Sequence, residues 1–196
     1  MQRMIFLLMA VCWIGAGPSF LFAADTTNST AAAPLPQVAI IVRNEAGTPF
    51  DSKISVLEHL VGDRITGKGY SVISHHVVTR VLSGQSNELD HALNDNSSAL
   101  RLAQNLGADF ILVASIASYD TDKTTYNSFG IATPDVTRTL RVSYKIIETS
   151  TGGAIRGGTV VATKIVRQAP NSSVEDSNLI GRLLDDAAGQ LADAIE

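Results

Sequence analysis

Residues 99–114 read ALRLAQNLGADFILVA, and this stretch decides the fold. Ser97 offers a hydroxyl cap for a helix from Ala99 to Leu106. Gly107 stops that helix, because glycine tolerates the left-handed backbone found at helix ends. Phe110 to Ala114 is then the most apolar strand of the chain, and a strand apolar on both faces belongs in the middle of a sheet.

Upstream, residues 83–96 are polar and show no clear period. Before them, Ser74 caps a short helix with Val77, Val78, Val81 and Leu82 on its inner side, preceded by a short strand from Tyr70 to Ile73. Ile54, Leu57, Leu60, Val61 and Ile65 recur on one stripe of an earlier helix, which Asp51 or Ser52 caps and Gly67 and Gly69 end. Val38 to Val42 is a continuous apolar, largely β-branched run, as expected of a strand covered on both faces. Downstream, Tyr119 to Arg138 reads as one long polar loop. Val142, Tyr144 and Ile146 then alternate with Arg141, Ser143 and Lys145, the pattern of a half-exposed strand. Thr151-Gly152-Gly153 turns the chain, and Thr159 to Val166 returns as the partner strand. A last amphipathic helix extends from Asp176 to Ile195 through Leu179, Leu183, Leu184, Ala187 and Leu191. The predicted order is β-α-β-α-α-β-β-β-α, an α/β domain whose mixed parallel and antiparallel sheet is packed by helices.

A chain of 196 residues is the length of one domain. Its 45% hydrophobic and 17% charged residues are the balance of a globular protein. The formal net charge of −4 lacks the basic footprint of a nucleic-acid binder. Residues 1–23 read as a signal peptide: Arg3 is the charged start, Met4 to Ile14 the apolar run, and Phe22-Ala23-Ala24 the cleavage point. An uncleaved anchor is the alternative, disfavoured because Gly15, Gly17 and Pro18 interrupt the run. Residues 24–36, small and polar with two prolines, form a flexible linker, and the folded domain spans 37–196. Cys12 is the single cysteine and lies within the apolar run, so cleavage leaves no disulfide, thiolate metal ligand or Cys nucleophile. Met9-Ala10-Val11-Cys12 is a poor lipidation motif, since Val11 stands where a small residue is wanted, and lipidation is the minority reading.

Groupings that would carry chemistry are weak. Adjacent helical side chains point about 100° apart, so His75 and His76 do not readily share a metal and read as a solvated helix start. His59 and Asp63 read as an exposed pair one turn apart. Asp120 and Asp122 have a calcium-loop spacing but lack the further oxygen ligands and glycine of that motif. Asp90 and His91 could form an acid/base pair in the polar 83–96 stretch, beside Glu88 and Asp95. No phosphate-cradling glycine loop or nucleophile elbow is present. No cofactor, no metal and no enzymatic activity are expected. Long loops in compact domains are uncommon and tend to be functional or disordered, so the 119–138 segment is the leading contact surface, with Tyr119, Tyr126, Phe129, Ile131 and Pro134 as its residues. An inert insertion is the equal alternative.

Two passages resemble a known group. Ala99 to Ile116 is similar to its "helix, Gly-Ala-Asp, central strand, Ser-Ile" passage, and Leu140 to Gly153 to its "strand, then Glu-x-x-Thr-Gly turn" passage. The group is the LpoB/CsgG-like envelope proteins, penicillin-binding-protein activators and curli secretion lipoproteins, which share a fold with the N-terminal domain of TolB-type proteins. The resemblance implies a non-enzymatic domain in the periplasm that docks on an envelope protein partner, a penicillin-binding protein among the candidates. Attachment to the outer membrane stays open, because the expected lipidation motif is poor. A curli-type pore is disfavoured, because the 119–138 segment is too short and polar for membrane-spanning hairpins. A periplasmic module that binds glycan or a small ligand on Tyr126 and Phe129 is the alternative function.

Overall fold

Val38 to Val42 are all buried and form the core of strand β1 (Gln37–Asn44), as a run apolar on both faces requires. The structure, a computed structural model, describes residues 34–83, 95–128, 131–167 and 176–195. A 3-10 turn (Thr48–Lys53) leads into helix α1 (Ile54–Gly67), followed by β2 (Ser71–Val72) and α2 (His75–Leu82). Helix α3 (Asn96–Leu106), strands β3 (Phe110–Ser128), β4 (Ile131–Glu148) and β5 (Ala154–Arg167), and helix α4 (Asp176–Asp193) complete the order. The strands form one sheet in the order β2-β1-β3-β4-β5. Strand β1 is parallel to both β2 and β3, and the pairs β3–β4 and β4–β5 are antiparallel. The expected element order and mixed sheet are therefore observed, with the strand at Phe110 in the centre.

Helices cover the two faces unequally. On the inner face, Leu57, Val61 and Ile65 of α1 and Leu183, Leu184, Ala187 and Leu191 of α4 pack on Ile40, Leu112, Ile116, Leu140, Val142 and Val160. On the outer face, Val78 of α2 and Ala99, Leu102 and Ala103 of α3 cover Ala39, Ile41, Ile111, Val113 and Ile147. Arg64–Asp185 at 2.6 Å and Lys68–Asp193 at 3.0 Å tie α1 to α4 along their solvent edge. Among the described residues, no helix is long and apolar enough to cross a membrane.

Several local expectations are corrected. Helix α3 is capped by Asp95 rather than Ser97: the Asp95 carboxylate accepts the N–H groups of Ser97 and Ser98 at 3.2 and 3.1 Å. A carboxylate two or three residues ahead reaches those amides, so the helix starts earlier, at Asn96. Neither Asp51 nor Ser52 caps α1, because the 3-10 turn occupies their place; Asp51 instead accepts from the Asn44 amide at 2.6 Å. Ser74 precedes α2 without a side-chain capping bond, and Val77 lies on the exposed side of that helix. The largest correction concerns residues 119–138. Apart from 129–130, which lie outside the described residues, they are strand and not loop: β3 and β4 continue through them as an antiparallel ladder from Tyr119↔Leu140 to Ser128↔Ile131. A β-bulge between Ile116 and Ser118 opens this extension. The polar 83–96 stretch lies outside the described residues except at its ends, and with it Glu88, Asp90 and His91.

Candidate functional site

Of the residues expected to form a contact loop, Tyr119, Tyr126, Ile131 and Pro134 are strand residues, and alternation divides a strand between faces. Tyr119 pairs with Leu140 on the inner face, where its ring meets Phe50 edge-on at 5.2 Å and the Arg138 guanidinium stands 5.7 Å from the ring centre. Tyr119 is thus part of the foundation of the hairpin. Tyr126 projects from the other face and is 59% exposed. Pro134 opposes Thr125 in β4, and Ile131 opposes Ser128 beside the turn. Phe129 lies outside the described residues.

On its outer face the extension carries no helix among the described residues. Register places four successive cross-strand rows there: Ser118, Arg141 and Val161; Asp120, Thr139 and Thr163; Asp122, Thr137 and Ile165; Thr124, Asp135 and Arg167. Arg141 pairs with Asp120 across the first two rows. Thr139 and Thr163 hydroxyls approach to 3.5 Å, and so do Ser143 and Thr159 two rows nearer the core. Arg167 donates to Asp135 at 3.1 Å, and that carboxylate raises the guanidinium's already high pKa. Asp120 and Asp122 are therefore strand residues on one face, with no calcium-loop geometry. At the margin of this face, edge strand β5 exposes Val161 (46%) and Ile165 (69%), large apolar side chains two rows apart. The sequence reading did not select these two. Their alternation with Val160 and Ala162, both buried, is the signal that would have found them.

At the opposite edge of the sheet, residues read separately in the sequence come together. His59, Asp63, His75 and His76 border a cavity of about 650 Å³ between α1 and the β2–α2 junction, floored by Ile40, Gly62 and Val72. Glu58, which the sequence reading passed over, links the two walls. One of its oxygens accepts the Val42 N–H at 3.2 Å, and the other lies 2.7 Å from Nδ1 of His75. Burial raises the Glu58 pKa, partly offset by the Val42 amide and His75. The His76 ring accepts from Arg80 at 2.9 Å, one turn further along α2. Among the described residues, no three His, Cys, Asp or Glu side chains are placed to hold a metal ion.

No protein-family model and no curated sequence matches the chain. Solved structures share its fold. Lipoprotein GNA1162 from Neisseria meningitidis superposes with a TM-score of 0.50 at 19% identity, over 81% of this chain and 99% of that one. The hypothetical protein CT253 from Chlamydia trachomatis gives 0.50 at 14% identity, over 82% and 98%. The LpoB C-terminal domain from Salmonella enterica gives 0.38 at 13% identity, over 67% and 85%, too distant to carry an argument. The first two likenesses are of fold alone.

Proposed function

We propose that this chain, whose fold is shared with a crystallised bacterial lipoprotein, is an exported envelope protein that acts by protein–protein contact rather than catalysis. The observation that carries the reading is the outer face of the β3–β5 extension, which no helix covers among the described residues and along which Tyr126, Val161 and Ile165 are each exposed among Ser, Thr and charged side chains. Exposed aromatic and aliphatic side chains set among polar ones are the residue types that protein interfaces use. The apolar leader in residues 1–23, the small polar segment after it and the likeness to Lipoprotein GNA1162 favour the envelope as its compartment. The resemblance to LpoB-type activators makes a peptidoglycan synthase, a penicillin-binding protein, the first partner to test.

The test is site-specific photocrosslinking in cells, with benzoylphenylalanine placed at Tyr126 or Ile165 and, as a control, at Val56 on α1. A discrete adduct with an envelope protein from the first two positions, lost in Val161→Lys, is expected. Adducts from Val56 alone, or none from Tyr126 and Ile165, would overturn the reading. The paired hydroxyls further along the same face, Thr139 with Thr163 and Ser143 with Thr159, favour a second reading, a glycan-binding face. Binding of purified peptidoglycan fragments that Tyr126→Ala weakens, with no protein adduct, would replace the first reading with this one.

A further inference from the structure

We propose that the groove between α1 and β2 is a docking site for an extended, basic peptide segment of another protein, which adds as a strand to the edge of β2. The first ground is the hydrogen-bonding direction of that edge. Ser71 donates to the Pro36 carbonyl and Ile73 to that of Val38, both at 2.9 Å, so these amides face β1. Backbone groups alternate along a strand, so the N–H and C=O of Val72 point away from β1. No described strand lies on that side, and β2 closes the sheet there. An exposed edge beside a helix is the geometry in which a peptide strand is recruited by backbone hydrogen bonds, with alternate side chains entering a groove.

The second ground is shape. Ser55, Glu58, His59, Gly62, Asp63 and Thr66 form one stripe along α1 that faces the cavity. At 1.5 Å per residue this wall is about 16 Å long, enough for roughly five residues of extended chain. At its centre Gly62 carries no side chain above the floor: a Cβ there would be in contact with Cδ1 of Ile40 at 3.7 Å and Cγ1 of Val72 at 3.8 Å. Any larger side chain would occupy the space a ligand residue needs.

Charge selects the occupant. Asp63 is the exposed carboxylate of the groove, Glu58 being engaged by the Val42 amide and His75; His59 and His76 are its other titratable groups, and among the described residues no lysine or arginine lines it. An incoming Lys or Arg on the strand face turned towards α1 would lay its alkyl stem over Ile40 and Val72 and bring its cation to Asp63. An acidic segment would meet like charge and lose binding. This edge is the far side of the sheet from β5, so failure here leaves the crosslinking result at Tyr126 and Ile165 untouched, and the reverse also holds.

The experiment titrates the isotope-labelled protein with two blocked pentapeptides, Val-Lys-Val-Lys-Val and Val-Glu-Val-Glu-Val, and follows the amide resonances. The lysine peptide should bind saturably, shift the amides of Gly62, Val72 and Ile73, and bind at least tenfold tighter than the glutamate peptide. Asp63→Lys, at an exposed position, should reverse that preference, and Gly62→Trp should abolish binding while the far-ultraviolet spectrum stays unchanged. If Gly62→Trp does not fold, the Asp63→Lys reversal decides alone. No saturable binding of the lysine peptide, equal affinity for both peptides, shifts confined to other surfaces, or an unchanged preference in Asp63→Lys would each overturn the proposal. So would sedimentation showing a dimer that Gly62→Trp dissociates, since the groove would then hold a second copy of this chain.

Discussion

Nδ1 of His75 lies 2.7 Å from Oε2 of Glu58, which joins the first residue of α2 to the middle of α1. The Glu58 carboxyl is held above its ordinary pKa, chiefly by burial. A raised folded-state pKa means that folding favours the protonated acid. The stability tied to Glu58 is fully present below the usual carboxylate range and is lost as pH rises through the raised value. Wild type should therefore lose stability relative to Glu58→Gln as pH rises out of the usual carboxylate range. Urea unfolding at several pH values checks this, and parallel curves for the two proteins would refute it.

Asp95 titrates in the opposite sense. Hydrogen bonds from the Ser97 and Ser98 side chains and amides hold its pKa well below the usual carboxylate range. Its contribution is present above the unfolded value and is lost as pH falls towards the lowered one. Asp95→Asn keeps a capping oxygen and should show a shallower acid limb than wild type. Asp95→Ala should lower the melting temperature at neutral pH, which thermal denaturation monitored by circular dichroism will measure.

The two tyrosines of the hairpin should separate cleanly. Tyr119→Ala removes the ring that packs on Phe50 and should cost about 2 kcal/mol or more. Tyr126→Ala removes an exposed ring and should stay within about 0.5 kcal/mol of wild type. Equal losses in chemical denaturation would contradict the assignment of these rings to opposite faces.

Glycine substitutions should carry opposite signs. Gly107 ends α3 and Gly152 lies in the β4–β5 turn, both at a φ of 66°, where a side chain is strained. Alanine at either should destabilise by roughly 1–2 kcal/mol, and more at Gly152, whose new Cβ would stand 3.2 Å from Cδ2 of Leu100. Gly62 is within α1 with ordinary contact distances for a Cβ, so Gly62→Ala should stabilise by roughly 0.5–1 kcal/mol. The midpoints of urea unfolding give all three.

The central strand, the order of the helices and the parallel-to-antiparallel switch were legible because long apolar runs and helical stripes report burial directly. The hairpin extension was not. Thr121-Asp122-Lys123-Thr124-Thr125 has no buried member, so no hydrophobic alternation marks it as a strand. The inward positions also change phase at the bulge, from Leu112, Ala114 and Ile116 to Tyr119 and Thr121. The Asp95 cap was missed because Ser97 is an equally good capping residue two positions later, and sequence alone does not say which one the backbone turns back to meet. Glu58 was missed because its neighbours His59 and Asp63 mark a solvent face, and only the tertiary approach of Val42 in β1 and His75 at the start of α2 engages it.

The bulge at Ala117 amounts to a stored insertion. Deleting that residue would let β3 run straight into the Ser118↔Arg141 pairing and leave Tyr119 and Tyr126 on the faces they already occupy. Deleting Thr121 instead would push every later side chain of β3 to the wrong surface or force the ladder to slip. Because a bulge bends its strand, the shortened protein would keep the same chemical inventory on its outer wall but aim it elsewhere. Ala117 therefore governs the heading of the hairpin independently of what the hairpin presents.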